Sequence, residues 1–282
     1  MKNILLLTDF TENTKAAAQT ALVLSQKMHM DLILMTTYVF YPTAENYVGG
    51  QWYPQWFEEI EEENQERIYQ LKLQLEEFSL MTIEPGDRRP EIRTRVEIVG
   101  LGLGIGDVMK KNNIDLILMG AHQDELLATN HVNEVIRNVK VPVLVMTQGT
   151  NLKKITEIIY ATDYNEGDIN AIGYTLKIAK AFGLELKIVH VTENGKTEAN
   201  GKDKSAFEDR LKKIHASNIS YQVVNGKDLE TRLTRLMKTD HAGLLAMLHH
   251  HHSFLSCLIC HSDTKQLLKE DKTPMLIFPS EQ

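Results

Sequence analysis

The sequence has few cysteines and no long apolar segment. Only two of its 282 residues are cysteine, which excludes a fold held together by several disulfides and favours a reducing compartment. No apolar run approaches the ~20 residues that a membrane-spanning helix needs. The first apolar run is short and is not followed by a small-residue cleavage site, so we do not interpret it as a signal peptide. These absences predict a cytoplasmic protein without a membrane partner.

An excess of positive charge is absent as well, because the formal net charge is −7. A general nucleic-acid binder needs a basic face that displaces counterions from phosphates, so we expect no nucleic-acid partner. Hydrophobic residues make up 43% of the chain and charged residues 24%, which excludes intrinsic disorder. At roughly 150 residues per domain, the length predicts two domains.

Catalytic motifs are missing from the sequence. It contains neither a Gly-x-Ser-x-Gly nucleophile elbow nor a His-Glu-x-x-His metal motif, and no nucleophile and base stand in a recognisable arrangement. We therefore expect that the protein is not an enzyme.

The sequence does contain a long internal repeat. A short apolar strand ends at Thr8-Asp9, and a second, at residues 155–161, ends at Thr162-Asp163, 154 residues after the first. A polar turn, a helical pattern and another apolar strand follow each Thr-Asp pair. Repeats of this length are whole domains rather than solenoid units.

The two copies also end alike. Val141-Pro142 opens a closing strand that runs to residue 146, and Thr273-Pro274 opens one that runs to residue 278. These matches predict one domain at residues 1–147 and a second at residues 155–280. The residues between the two domains are predicted to form a polar linker.

Strands alternate with helices in the first copy, which predicts an α/β fold with a parallel sheet covered on both faces. A long charged helix is predicted at residues 58–79. The glycine-rich segment at residues 100–106 is interpreted as a turn before a helix near residues 107–111, with a phosphate-binding loop as the alternative. Ligands of such sheets bind outside the carboxyl ends of the strands.

Several motifs resemble the universal stress protein family. They are Leu-Leu-Thr-Asp at residues 6–9, Asp-Leu-Ile-Leu-Met-Gly-Ala-His at 115–122, and Val-Ile-Arg at 135–137 before Val-Pro-Val-Leu-Val. The second half repeats them more weakly, with Ala-Thr-Asp at 161–163 and Pro-Met-Leu-Ile-Phe at 274–278. The resemblance implies two tandem five-stranded parallel-sheet domains with helices on both faces, the adenine-nucleotide α-hydrolase-like fold of universal stress proteins. It also implies dimers formed through the last strand.

Many family members bind ATP through a loop Gly-x2-Gly-x9-Gly-Ser/Thr after the fourth strand, where backbone amides cradle phosphate. Here Gly120 is present, but Gln123 stands in place of the second glycine and the loop is shorter. In the second copy no glycine follows the strand ending at Leu248. We therefore expect no cofactor, with ATP in the first domain as the alternative. The candidate binding residues are Thr8, Asp9, Gly120, His122, Thr129, Asn130, Asp163 and Ser262.

Asp9 and Asp163 match the family's first-strand aspartate, which lies beside the nucleoside. The alternative is that each is only the N-cap of the helix that follows it, a role that needs no ligand.

Histidines and cysteines cluster near the end of the second copy. Cys thiolates and His nitrogens suit tetrahedral zinc, and the candidate ligands are His252, Cys257, Cys260 and His261. The same pattern is typical of a packed helix with small buried thiols, and we expect no bound metal, with zinc as the alternative.

Together these features predict a cytoplasmic tandem universal stress protein that binds or interacts in a stress response through degenerate nucleotide loops. Its partner would be a second copy or another protein, with a small molecule or anion as a further ligand class. The alternative is a sensor that binds ATP or AMP through the first domain.

Overall fold

The structure is a computed structural model of the whole chain. It describes residues 1–39, 54–120, 130–147, 150, 152, 155–193, 201–226, 232–233, 235–237, 242–249 and 273–279. The chain divides into two compact units, unit 1 at Met1–Gly120 and unit 2 at Ala121–Gln282. Within the described ranges, no helix is both long enough and apolar enough to cross a membrane.

Unit 1 is a parallel sheet with helices between its strands. Its sheet order is β3-β2-β1-β4, and every neighbouring pair is parallel. The elements are β1 (Asn3–Leu7), α1 (Glu12–Met28), β2 (Asp31–Thr37), α2 (Pro54–Thr82), β3 (Ile92–Glu97), α3 (Leu101–Lys111) and β4 (Ile114–Gly120).

Apolar runs form the inner strands of unit 1. All five residues of β1 are buried, as are the first six of β2, which is typical of parallel strands covered on both faces. Helix α2 packs against β3 and β2 and buries Ile68, Leu71 and Leu75, which lie three and four residues apart on one helical face. This helix begins at Pro54 and ends at Thr82, so it is longer than the sequence predicts at both ends.

The predicted glycine-rich turn is wrong, because these glycines lie inside a helix. Helix α3 begins at Leu101, directly after its N-cap Gly100. Gly104 faces the sheet, where an added Cβ would lie 2.7 Å from Cε of Met35 and 3.1 Å from Cγ2 of Thr37. A glycine here lets α3 approach β2 closely, and the helical backbone excludes a phosphate-binding loop at this segment.

Unit 2 contains the remaining elements. They are α4 (Asn130–Asn138), β5 (Val143–Met146), β6 (Glu157–Ala161), α5 (Asp168–Phe182), β7 (Glu185–Glu193), α6 (Gly201–Leu211), β8 (Ile219–Gly226), β9 (Ala242–His249) and β10 (Met275–Pro279). Their strand order is β5-β10-β9-β6-β7-β8. The pairs from β10 to β8 are parallel, and β5 runs antiparallel to β10.

The two closing strands of the repeat therefore meet within this unit. Leu144 of β5 pairs with Leu276 of β10. In the described part of the chain, residues 1–147 carry five strands and residues 155–280 carry another five, which confirms the α/β fold class. The domain limits of 1–147 and 155–280 stay a prediction, because the compact units divide at Gly120.

Candidate functional site

The carboxyl end of β1 brings three predicted site residues of unit 1 together. Leu7 pairs with Met35 of β2 and with Met119 of β4, so Thr8 and Gly120 are the next residues on adjacent strands. The amide of Thr8 donates to the carbonyl oxygen of Met35 at 2.9 Å. Thr8, Asp9 and Gly120 therefore share the sheet edge where parallel α/β proteins bind ligands.

Asp9 is not the N-cap of α1, so that alternative is wrong for this residue. The N-cap is Thr11, and Asp9 lies two residues before it. The Asp9 Oδ1 atom accepts hydrogen bonds from the Thr11 amide at 2.9 Å, from the Thr11 hydroxyl at 2.7 Å and from the Thr14 hydroxyl. This carboxylate ties the turn to the first turn of α1, as an Asx-type turn does.

The electrostatics keep Asp9 ionised. Partial desolvation raises its pKa, but the hydrogen bonds from Thr14 and Thr11 outweigh desolvation and hold the pKa below its ordinary value. The side chain is exposed, and no other described residue donates to its second oxygen, Oδ2. Unit 1 thus presents an ionised, exposed carboxylate at the sheet edge.

Both units have the same turn conformation after the Thr-Asp pair. Phe10 and Tyr164 adopt left-handed conformations with φ of 63° and 66°, which bulky residues rarely do. The Phe10 amide donates to the Thr8 hydroxyl at 3.0 Å, and the Tyr164 amide donates to the Thr162 hydroxyl at 3.1 Å. The threonine hydroxyl therefore supports the strained turn in each copy.

The edge of unit 2 carries a bulky side chain where unit 1 has glycine. Ala161 pairs with Met247 of β9, so Thr162 lies beside Leu248 as Thr8 lies beside Gly120. Leu248 is buried, and its Cδ2 atom lies 3.0 Å from where a Cβ on Gly167 would be. The leucine fills space next to the start of α5.

Tyr164 lies within a ring cluster of unit 2. Its ring stacks on His190 of β7 with centroids 3.9 Å apart, and it tilts against Phe207 of α6 at 5.3 Å. Its hydroxyl lies 2.9 Å from the hydroxyl of Tyr221 on β8. In unit 1, the equivalent Phe10 ring instead lies under the guanidinium of Arg67, 4.4 Å from the ring centroid.

A buried carboxyl group sits under the same turn of unit 2. Asp168 is fully buried and accepts hydrogen bonds from Tyr160 at 2.7 Å, from Thr162 at 2.6 Å and from the Asn165 amide at 3.1 Å. Burial raises the pKa of Asp168 to about 6, although the hydroxyl groups of Thr162 and Tyr160 act in the opposite direction.

Asp163 is not an N-cap either, because Gly167 holds that position before α5. The Asp163 Oδ1 atom accepts a hydrogen bond from the side-chain amide of Asn165. The negative charge of Asp163 is a further cause of the raised pKa of Asp168. The turn therefore carries two carboxyl groups in different surroundings: Asp163 at the rim and Asp168 in the interior.

For the other predicted site residues, the structure does not describe the side chain. Asn130 is the first residue of α4, and only its backbone is described. His122, Thr129 and Ser262 lie outside the described residues, as do His252, Cys257, Cys260 and His261. Within the described ranges, no group of three His, Cys, Asp or Glu residues could hold a metal ion. The expectation that these residues bind no metal stays a prediction.

Sequence reasoning missed Asp168 and Tyr164. The 154-residue offset of the repeat places Asp168 opposite Thr14 and Tyr164 opposite Phe10. The alignment of the two copies shows that an acid replaces a threonine at this position, but it does not show that the position is buried.

The Universal stress protein family model matches residues 1–147 and 154–279. Among solved structures, the chain is similar to a universal stress protein from Archaeoglobus fulgidus DSM 4304, with a TM-score of 0.70, 15% identity and coverage of 98% of this chain and 95% of that one. It is also similar to PA1789 from Pseudomonas aeruginosa PAO1, with a TM-score of 0.56, 12% identity and coverage of 98% and 92%.

A third similar structure is the cytoplasmic domain of a prokaryotic cation chloride cotransporter, with a TM-score of 0.56, 10% identity and coverage of 98% and 94%. At these identities, the likeness shows the fold alone. No curated protein matches the chain in sequence.

Proposed function

Because the chain belongs to the Universal stress protein family, we propose that it is a tandem stress-response protein that works by binding a partner rather than by catalysis. Its partner is a second copy or another protein, and it holds no resident cofactor or metal. Two cysteines in 282 residues support a reducing, cytoplasmic location. Zinc content of the untagged protein tests the metal part of this proposal.

The side chains at the carboxyl edge of unit 2 carry the proposal. Leu248 stands where unit 1 has Gly120, and Tyr164 packs against His190 and Phe207. A nucleotide needs open space and close backbone approach at this edge. The side chains of Leu248 and Tyr164 leave neither requirement met, which argues against nucleotide binding in unit 2.

Unit 1 supports a second candidate function, a nucleotide sensor. Asp9 is ionised and exposed, and Gly120 ends the neighbouring strand β4 beside Thr8. A carboxylate in this position can accept hydrogen bonds from hydroxyl groups of a ribose. Gln123 in place of a glycine favours the interaction role over this sensor.

Calorimetric titration with ATP and Mg²⁺ separates the two functions. We expect no binding tighter than about 100 µM, which corresponds to roughly −5.5 kcal/mol. Asp9→Ala and Asp163→Ala serve as a matched pair at equivalent positions of the repeat. Low-micromolar binding that Asp9→Ala abolishes and Asp163→Ala leaves intact would establish the sensor instead.

A further inference from the structure

The free edge of the unit 1 sheet carries a groove. Within the described part of the chain, β3 has β2 as its neighbour on one side and stands at the end of the unit 1 strand order. A groove of about 420 Å³ lies along it, and every residue from Arg89 to Arg95 contributes to its lining. On its other side the groove is lined by Lys72, Glu76 and Ser79 of α2. Its continuous lining shows that the groove follows the strand instead of forming a single point-like pocket.

The backbone of β3 presents hydrogen-bonding groups to this groove. The Leu32 amide donates to the Glu91 carbonyl oxygen at 2.9 Å, and the Tyr38 amide donates to the Glu97 carbonyl oxygen at 3.1 Å. Because bonding direction alternates along a strand, Ile92 and Thr94, which line the groove, and Val96 just beyond it direct their amides and carbonyls away from β2. These groups repeat at every second residue, which is the spacing that an added strand requires.

The charges of the groove favour an anion. Its lining has four cations, Lys72, Arg89, Arg93 and Arg95, against two carboxylates, Glu76 and Glu91. Lys72 lies 3.7 Å from Glu76. Of the cations, Arg89 and Arg95 are exposed, and the described residues provide neither with an ion-pair partner.

Arg93 is held in place at the base of this strand. Its terminal nitrogens donate to Asn3 Oδ1 at 2.6 Å and to Asn112 Oδ1 at 3.4 Å. Arg93 keeps its charge, but its terminal nitrogens are engaged, so the guanidinium groups that can pair with a ligand are those of Arg89 and Arg95, the first and last residues of the 89–95 lining.

We propose that β3 binds an extended acidic segment of a partner protein, which adds to the sheet as a further strand. The backbone groups of Ile92, Thr94 and Val96 supply the pairing, and Arg89 and Arg95 select acidic side chains. This inference rests on the proposed interaction role and gives that role a surface and a class of partner. The net charge of −7 makes most of the chain unfavourable for an acidic partner. Arg89 and Arg95 therefore direct such a partner to the β3 edge.

The edge strand of unit 2 provides a matched control. The Leu186 amide donates to the Asn218 carbonyl oxygen at 2.8 Å, so Val223 of β8 directs its amide away from β7 as Thr94 of β3 does from β2. Residues 219–226 contain no lysine or arginine. The two edges therefore offer similar backbone and different charge.

The test measures fluorescence anisotropy of a short labelled peptide of alternating Glu and Val, added to the full chain. We expect saturable binding that is at least ~10-fold tighter than that of the same peptide with Lys in place of Glu. The combined change Arg89→Glu and Arg95→Glu is expected to weaken binding by at least ~10-fold. The charge-matched control Lys110→Glu with Lys212→Glu, at two exposed lysines outside the groove, is expected to leave binding unchanged.

Proline variants test the strand pairing. Thr94→Pro removes an amide that points away from β2, so the sheet tolerates it while an added strand loses a donor. We expect Thr94→Pro to abolish peptide binding and Val223→Pro to preserve it. Unchanged binding in Thr94→Pro would reduce the groove to a simple anion site and overturn strand addition.

Three other results overturn the proposal: no binding of the acidic peptide, equal binding of the Lys peptide, or full binding by the Arg89→Glu, Arg95→Glu variant. In the first case the arginines only protect an exposed edge from aggregation. If the acidic peptide does not bind and ATP does not bind either, only the inference about β3 is overturned. If ATP binds with low-micromolar affinity, the proposed function itself is overturned.

Discussion

The turn after β1 exposes its carboxylate, whereas the turn after β6 also buries one. In unit 1, the buried Thr14 hydroxyl donates outward to Asp9 on the rim. In unit 2, Asp168 takes the place of Thr14 and accepts hydrogen bonds from Tyr160 and Thr162 beneath the turn. The direction of hydrogen bonding at this position is therefore reversed between two copies that share one backbone.

This difference shows which part of the turn the fold requires. Both copies keep a threonine hydroxyl that accepts the amide of a left-handed aromatic residue. Asp9 and Asp163 each accept a hydrogen bond from the residue two positions later, so the copies differ mainly in Asp168, the buried acid that only unit 2 has. In unit 1 the acid remains available to solvent, and in unit 2 the additional acid stabilises the strand and helix that meet above it.

The largest expected difference between the copies is in stability. Asp168→Ala leaves two hydroxyl groups and one amide without their acceptor, so we expect a loss of about 3 kcal/mol in the free energy of unfolding. Thr14→Ala, at the equivalent position, removes one hydroxyl donor and is expected to cost about 1 kcal/mol. Urea unfolding of both variants measures the contrast. Equal losses would contradict a structural role specific to Asp168.

The two acids should also give opposite dependences of stability on pH. The folded pKa of Asp168 is raised from 3.8 to about 6, so the folded state binds more protons between these values. Stability from this group is present below the unfolded pKa and declines as pH rises toward 6, by an amount on the order of 3 kcal/mol. Comparison with Asp168→Asn across this range isolates the effect.

Asp9 has a folded pKa below its ordinary value, so its contribution is present at neutral pH and is lost as the pH falls through the folded pKa. Asp9→Asn should therefore lower stability at neutral pH and have little effect at the acidic end. Parallel profiles for Asp9→Asn and Asp168→Asn would show that the two acids have similar surroundings.

The last comparison concerns the left-handed aromatics, where the smallest single effect is expected at Phe10. Glycine relieves the strain of a positive φ by about 1 kcal/mol. At Phe10 this gain offsets the lost contact with Arg67, so Phe10→Gly should lie within about 0.5 kcal/mol of the wild type. Tyr164→Gly also removes the His190 and Phe207 contacts and should cost about 2 kcal/mol. Thermal unfolding of the two glycine variants measures the difference in stability. An equal loss of stability at Phe10 and Tyr164 would contradict different roles for the two aromatic rings.

Periodic apolar segments made the fold predictable. The strands of both copies and the helices α1 and α5 follow runs and spacings that single residues hardly disturb. Helix α3 was mispredicted because glycine is a poor helix former in isolation, and only the close approach to Met35 explains Gly104 within a helix. The start of α2 was predicted at residue 58, but the helix begins at Pro54. Proline breaks a helix in its interior yet is tolerated in its first turn.

The candidate site was less predictable than the fold. Thr8, Asp9 and Gly120 follow from strand ends, because parallel strands bring their carboxyl ends to one edge. Asp168 depends on which side chains close over it, and burial of a carboxyl group is not visible in composition or spacing. The β3 groove joins Lys72 to Arg89 and Arg95, and only the packing of α2 beside β3 places them together.

The individual pKa values of the two acids test most directly the claim that the copies differ in their carboxyl chemistry. Carbon-13 NMR of the side-chain carboxyl groups across the acid range measures them, with Asp9→Asn and Asp168→Asn to assign the signals. The structure predicts that Asp168 titrates at about 6 and that Asp9 titrates below the ordinary value of 3.8. A pKa of Asp168 at or below 3.8, or a pKa of Asp9 above it, would contradict the account.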